Sequence, residues 1–158
     1  MQTSDPLPPS PRRRAAELGR QAAGLWAFGE AMTWSAGLVL AVSAFTDWYS
    51  GDQSDGLTIA VTGWHTGTLG KLVFVLGALV VALVALREAG IDPLPRALPE
   101  PLVVILLGTV ATIFVLVRLI RIPDTFLPAP GRGVGIWISL FAAIAVIVAG
   151  LLRATEEL

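Results

Sequence analysis

Four stretches of this chain contain no charged side chain: between Glu30 and Asp47, between Lys71 and Arg87, between Glu100 and Arg118, and between Arg132 and Arg153. They hold 16, 15, 17 and 20 residues. A bilayer core of about 30 Å asks for roughly 20 helical residues, and inside it a backbone must satisfy its own hydrogen bonds, which a helix does. Only the fourth stretch is long enough unaided. The first reaches the length if Glu30 sits at the interface and Leu25, Trp26 and Phe28 join the span. The second does so if Lys71 lays its alkyl stem in hydrocarbon and lifts its ammonium toward the headgroups. The expected spans are therefore residues 25–45, 69–86, 102–120 and 134–152.

A soluble helical domain with a very apolar core is the competing reading, since 158 residues suffice to bury one. Composition argues against it. The chain is 54% hydrophobic and 15% charged, whereas a soluble domain draws on about 25% charged residues to coat its surface. Residues 72–86 and most of 102–117 are apolar all round and offer water no face. The expected fold class is an all-α membrane protein, a four-transmembrane-helix bundle.

Lys and Arg set the orientation. With the N-terminus in the cytoplasm, the inner segments carry Arg12, Arg13, Arg14, Arg20, Arg87, Arg96 and Arg153, and the outer ones Lys71, Arg118, Arg121 and Arg132. The excess of basic residues belongs inside, so both termini are expected in the cytoplasm and the location is the cytoplasmic membrane. The third loop is more basic than an exported loop should be. A signal peptide is the rival account of the first span, with Arg12, Arg13 and Arg14 as its basic start and Val42-Ser43-Ala44 as a cleavage site. The apolar run is long for that purpose.

Outside the spans, residues 1–11 hold four prolines among small polar residues and read as a disordered cytoplasmic tail. Ser10-Pro11 is a good helix start. Residues 12–24 then place Leu18 and Ala22 on one face and Arg13, Arg14, Glu17, Arg20 and Gln21 largely elsewhere, an amphipathic lead-in on the inner leaflet. Residues 25–152 form the transmembrane domain and 153–158 a cytoplasmic tail. In the first exported loop, residues 57–62 alternate as a short β-strand would. Trp48, Tyr49 and Trp64 flank it, and such rings usually mark the membrane interface. Prolines at 93, 95, 99 and 101 break the second loop, and those at 123, 128 and 130 the third. Gly131, Gly133 and Gly135 open the last span, and with no strand before them and no acidic partner after, they suit close packing rather than a phosphate cradle.

Catalytic constellations are missing. With no cysteine there is no disulfide, thiolate nucleophile or cysteine zinc site. His65 is the single histidine, so Asp47, Asp52 and Asp55 near it lack the second nitrogen ligand of a usual zinc site. A calcium-loop register on Gly56 puts Gly51 and Thr62 at the positions that need acids. No metal, cofactor or nucleic-acid partner is expected, and the chain is not expected to be an enzyme.

Charges close to the bilayer carry the sharper expectations. Glu30 lies near the inner end of the first span and is expected to pair with Arg87 or to snorkel. Arg118, Arg121 and Arg132 cluster at the outer end, where they either snorkel as interfacial anchors or, together with Trp48 and Trp64, contact anionic lipid headgroups or a partner. Gly29, Thr33, Gly37 and Ala41 recur every four residues on the first helix, a small-residue groove for a neighbouring helix. Ala78, Ala82 and Ala85 on the second, and Ala142, Ala145 and Ala149 on the fourth, offer comparable faces.

The second half has a familiar look. Arg118-Leu119-Ile120 with Pro123, the segment from Gly133 to Trp137, and Ala149-Gly150-Leu151-Leu152 running into Glu156-Glu157 resemble a group of uncharacterised small four-span membrane proteins of high-GC, actinobacterial-type bacteria. The resemblance covers Thr62 to Glu157. Members often carry Asp-Pro-Pro-Gly where this chain has Ile122-Pro123-Asp124. Ten Arg against one Lys, with no Asn, fits such a source. The resemblance implies fold and location but no chemistry. The expected role is a non-enzymatic accessory or scaffold subunit, with a membrane-protein partner at the loop from Asp47 to Trp64. The alternative is a small transporter or channel. Against it, the second to fourth spans have few polar interior residues beyond Thr109, Thr112 and Ser139, whose hydroxyls can bond helix backbones.

Overall fold

The computed structural model describes residues 10–52, 58–95, 98–121 and 131–157, of which 21–23, 25, 26, 52, 58, 59, 156 and 157 are described by their backbone alone. The expected tail at residues 1–9, the Asp55-Gly56 turn, Arg96 and the third loop's prolines lie outside the described residues. Four helices dominate: α1 (Pro11–Ser43), α2 (Thr68–Glu88), α3 (Glu100–Ile120) and α4 (Val134–Glu157). Helix α1 packs on α2, α2 on α3, α3 on α4 and α4 on α1, which closes a four-membered ring.

Local sequence explains the ends. Helix α1 begins at Pro11, whose missing N–H costs nothing at a first helical position. It runs on as one element, so the expected lead-in and first span are a single helix. Helix α2 ends in a Schellman motif: Gly90 adopts φ +74°, its N–H donates to Arg87, and the Ile91 N–H donates to Leu86. Helix α3 restarts at Glu100, directly after Pro99 and with Pro101 in its first turn.

Helices Thr68–Glu88, Glu100–Ile120 and Val134–Thr155 are long and apolar enough to cross a membrane. The apolar part of α1, Ala27–Ser43, is shorter. At about 1.5 Å per residue it covers roughly 25 Å of a core of about 30 Å. Outward-facing positions are strongly apolar: Phe141 is 68% exposed, Leu106 62% and Ile113 52%. Such a surface matches hydrocarbon rather than water.

The interior is small-residue packing around β-branched side chains. Val73, Val80 and Val84 of α2, Val104, Ala111 and Val115 of α3, and Ala143, Val146 and Ala149 of α4 are fully enclosed. On α2 the expected alanine face is corrected: Ala82 is exposed, and Gly70, Val73, Gly77, Val80 and Val84 face inward instead. The reason is contact distance. A Cβ on Gly77 would stand 2.5 Å from the Ala41 backbone nitrogen, so the two helices meet backbone to backbone there. Gly108 and Gly150 do the same between α3 and α4, against Ile147 and Ile105.

A three-stranded sheet covers one end of the ring. Strands β1 (Asp47–Asp52), β2 (Thr58–Thr62) and β3 (Gly131–Arg132) lie in the order β2-β1-β3, both pairs antiparallel. The expected strand is β2; β1 was not expected, because Asp-Trp-Tyr-Ser-Gly-Asp reads as a turn. A 3-10 turn, Gly63–Thr66, leads from β2 into α2.

Candidate functional site

The two ends of the bundle are chemically different, and each gathers polar side chains. At the sheet end the register slips between Asp47 and Tyr49, which makes Trp48 the extra residue of a β-bulge. Bulges re-aim side chains. Here the indole is driven into the bundle, fully buried, with its N–H donating to the Ser43 carbonyl at 2.9 Å. Gly63 lies flat against the ring because any Cβ there would collide with it. Trp48 is thus removed from the expected lipid or partner contacts. A tryptophan whose ring is enclosed and whose N–H is satisfied belongs to the core.

Ser43 is the centre of this end. Its hydroxyl donates to Leu40 at 2.7 Å and lies 2.8 Å from that of Ser139, which also approaches the Gly135 carbonyl at 2.9 Å. The Ser43 carbonyl accepts from the Thr46 hydroxyl as well as from Trp48. Gly133 and Gly135 let the start of α4 pass against Asp47 and Thr46, where a side chain would strike the Asp47 carbonyl. The glycine run therefore serves close packing of α4 under β1.

The basic residues of this end are occupied unequally. The Arg118 guanidinium donates to the Thr66 carbonyl, and the Arg118 carbonyl accepts from the Tyr49 hydroxyl at 2.7 Å. Arg132 Nε donates to the Leu119 carbonyl at 3.0 Å, satisfying a group at the C-terminus of α3, where the helix dipole also favours a cation. Arg121 is exposed. Burial pushes the Tyr49 phenol above its ordinary value of 10.0, partly offset by Arg118 and Arg132. Trp64 is half-buried and stacks with Phe45 at 5.2 Å and edge-on to Phe74 at 5.6 Å, with Lys71 Nζ 5.6 Å from its ring. His65 Nδ1 lies 2.8 Å from the Thr62 hydroxyl, and no group of three potential metal ligands exists among the described residues.

The opposite end holds an ionic cluster that sequence reasoning missed. Glu100, first residue of α3, receives Arg87 of α2 on Oε2 and Arg153 of α4 on Oε1, both at 2.9 Å. The Arg153 side chain is 4% exposed, Glu100 15% and Arg87 27%. The expected partner of Arg87 was Glu30; the salt bridge it forms is with Glu100 instead, because the turn at Gly90 and the prolines before α3 bring that residue beneath it. Trp34 of α1 donates its indole N–H to Glu88 at 2.7 Å.

Along α1, Gly29, Thr33, Gly37 and Ala41 are all buried. Thr33 donates to the Gly29 carbonyl at 2.8 Å, and a Cβ on Gly37 would meet Val80 at 2.9 Å. Comparison of the chain with protein-family models, with curated proteins and with solved structures finds no match.

Proposed function

We propose that the chain is a four-span integral protein of the cytoplasmic membrane, with both termini cytoplasmic, and that it serves as a non-enzymatic accessory or scaffold subunit. Helix α1 contributes the fourth span, its apolar segment completed at the inner boundary by Glu30 and the residues before it. The observation that carries the role is how the interior hydroxyls are used. Thr33, Ser43, Thr112 and Ser139 each reach a carbonyl of their own helix, which commits their protons to the backbone rather than to a solute. The sheet then supplies a folded surface beyond the bilayer, on which Trp64, Arg121 and Arg132 offer contacts to a partner or to anionic headgroups.

Two measurements test this. A photo-crosslinker placed at Ala60, exposed on β2, should yield one discrete protein adduct in native membranes, whereas the same group at lipid-facing Phe141 should not. Liposomes containing the purified protein should show no more leakage of ions or small solutes than empty ones. Solute flux proportional to protein content would replace the scaffold reading with the transporter one.

A further inference from the structure

A groove opens between α1 and α2 at the end that carries the ionic cluster. Its walls are Ala27, Glu30, Ala31, Trp34, Ser35 and Leu38 of α1 and Glu88, the last residue of α2, around about 530 Å³; the Ser35 hydroxyl donates to the Met32 carbonyl of its own helix. The α1 residues recur at helical spacing and so share one face. The Trp34 to Glu88 hydrogen bond ties the two walls together. Alanines at 27 and 31 keep the wall low, and Leu38 continues it as an apolar track away from the carboxylates.

The charge in this groove is one-sided. Glu30 falls inside the apolar segment Ala27–Ser43. Neither Glu30 nor Glu88 forms a salt bridge with a described residue, and the nearby Arg87 and Arg153 both engage Glu100. A carboxylate at the hydrocarbon boundary is costly without a countercharge. An apolar chain alone would leave both carboxylates without a countercharge, Glu88 with only the Trp34 N–H, and an anion would be repelled. A cation with an apolar tail meets every wall: its head between two carboxylates and an indole face, which attracts cations, and its tail along Leu38.

We propose that this groove binds a lipophilic organic ammonium ion, the head held by Glu30, Glu88 and Trp34 and the alkyl chain lying over Leu38. This goes beyond the scaffold role. Only the depth of Glu30 in the membrane rests on the four-span reading, which cysteine labelling tests separately.

The full chain in dodecyl maltoside should bind tritiated hexyltrimethylammonium saturably in equilibrium dialysis, near one per chain. Glu30→Gln should weaken binding at least about tenfold, within the Coulomb attraction of one ion pair to a quaternary head that donates no hydrogen bond. Leu38→Trp, at an outward-facing position where the larger ring fills the groove without disturbing the core, should abolish it. Glu17→Gln, remote on α1, should leave it unchanged, and neutral hexanol should not compete. Uptake that never saturates, or that is equal in wild type, Glu30→Gln and Leu38→Trp, is partition into micelles and overturns the proposal. Should Glu30→Gln fail to fold, Leu38→Trp alone decides.

Discussion

Replacing Glu100 by Gln removes one carboxylate and leaves two guanidiniums that converged on it. Arg153 decides the magnitude. Its side chain is 4% exposed and has Glu100 at 2.9 Å, so loss of the carboxylate strands a charge shielded from water. Removing one partner of a buried pair costs about 3–5 kcal/mol, whereas an exposed pair contributes about 0–1 kcal/mol. Arg87, 27% exposed, regains part of its hydration, which moves the expectation to the low end, about 3 kcal/mol. Helix α3 also loses a negative charge in its first turn, worth about 0.3–1 kcal/mol. Unfolding by dodecyl sulfate titration in mixed micelles, followed by tryptophan fluorescence, measures the change, with Glu17→Gln as an exposed control. The double variant Glu100→Gln with Arg153→Met should recover most of the loss, since it removes the stranded charge together with its partner. A cost under about 1 kcal/mol for Glu100→Gln, equal to that of the control, would refute the enclosure of Arg153 and with it the tie between the ends of α2, α3 and α4.

Further expectations follow from the same packing. Gly77→Ala should destabilise by about 1–3 kcal/mol in that titration, because the new methyl meets the Ala41 backbone, which cannot turn aside; Gly19→Ala, with open space around it, should instead stabilise by up to about 1 kcal/mol. Trp48→Ala should cost about 3–5 kcal/mol, as large core truncations do, and Trp64→Ala clearly less; equal effects would return Trp48 to the interface. Tyr49 is the sole tyrosine, so its phenolate absorbance can be titrated directly, with a midpoint expected above 10.0. Its proton is held more tightly in the folded state, so the stability it lends is complete below the unfolded value and disappears as pH rises through the folded one; Tyr49→Phe should flatten the alkaline decline of the unfolding temperature. Because the chain has no cysteine, single cysteines at Ser10, Ala60 and Thr155 in intact cells should react with an impermeant maleimide at Ala60 alone if α1 crosses the membrane and both termini are cytoplasmic; labelling at Ser10 together with Ala60 would remove α1 from the spans.

Helix positions were legible because bilayer length and proline placement act locally along the chain. Ser10-Pro11 marks the start of α1 to the residue, and the prolines at 99 and 101 bound that of α3, which begins at Glu100, two residues before the expected span. The inward faces were legible only in part. A four-residue stripe of small side chains picks out the buried side of α1, yet the alanines of α2 form the same pattern while Ala82 faces out; what buries Gly77 is the approach of the Ala41 backbone, a relation between segments 36 residues apart. Trp48 illustrates a second gap. Its composition suits an interface, and only the bulge against Val61 turns it inward. The ionic cluster eluded sequence reading for a similar reason, since Glu100 and Arg153 lie on different helices and meet only when the ring closes.

The arginines around the third loop, awkward on the proposed topology, have a part to play in the folded state. On the proposed topology they would be translocated, which is disfavoured for a basic residue during insertion. Helix α3 ends without a glycine cap, at Arg121 with φ −99° and ψ 94°, and its last carbonyls need donors. Arg132 returns from β3 to supply one to Leu119, while the Arg118 carbonyl takes the Tyr49 hydroxyl and the Arg118 side chain reaches Thr66 before α2. These three bonds join the end of α3 to β1, to β3 and to the turn before α2, places the helix ring alone does not connect. Arg118 and Arg132 thus fasten the sheet to the bundle, and Arg121 is exposed beside them.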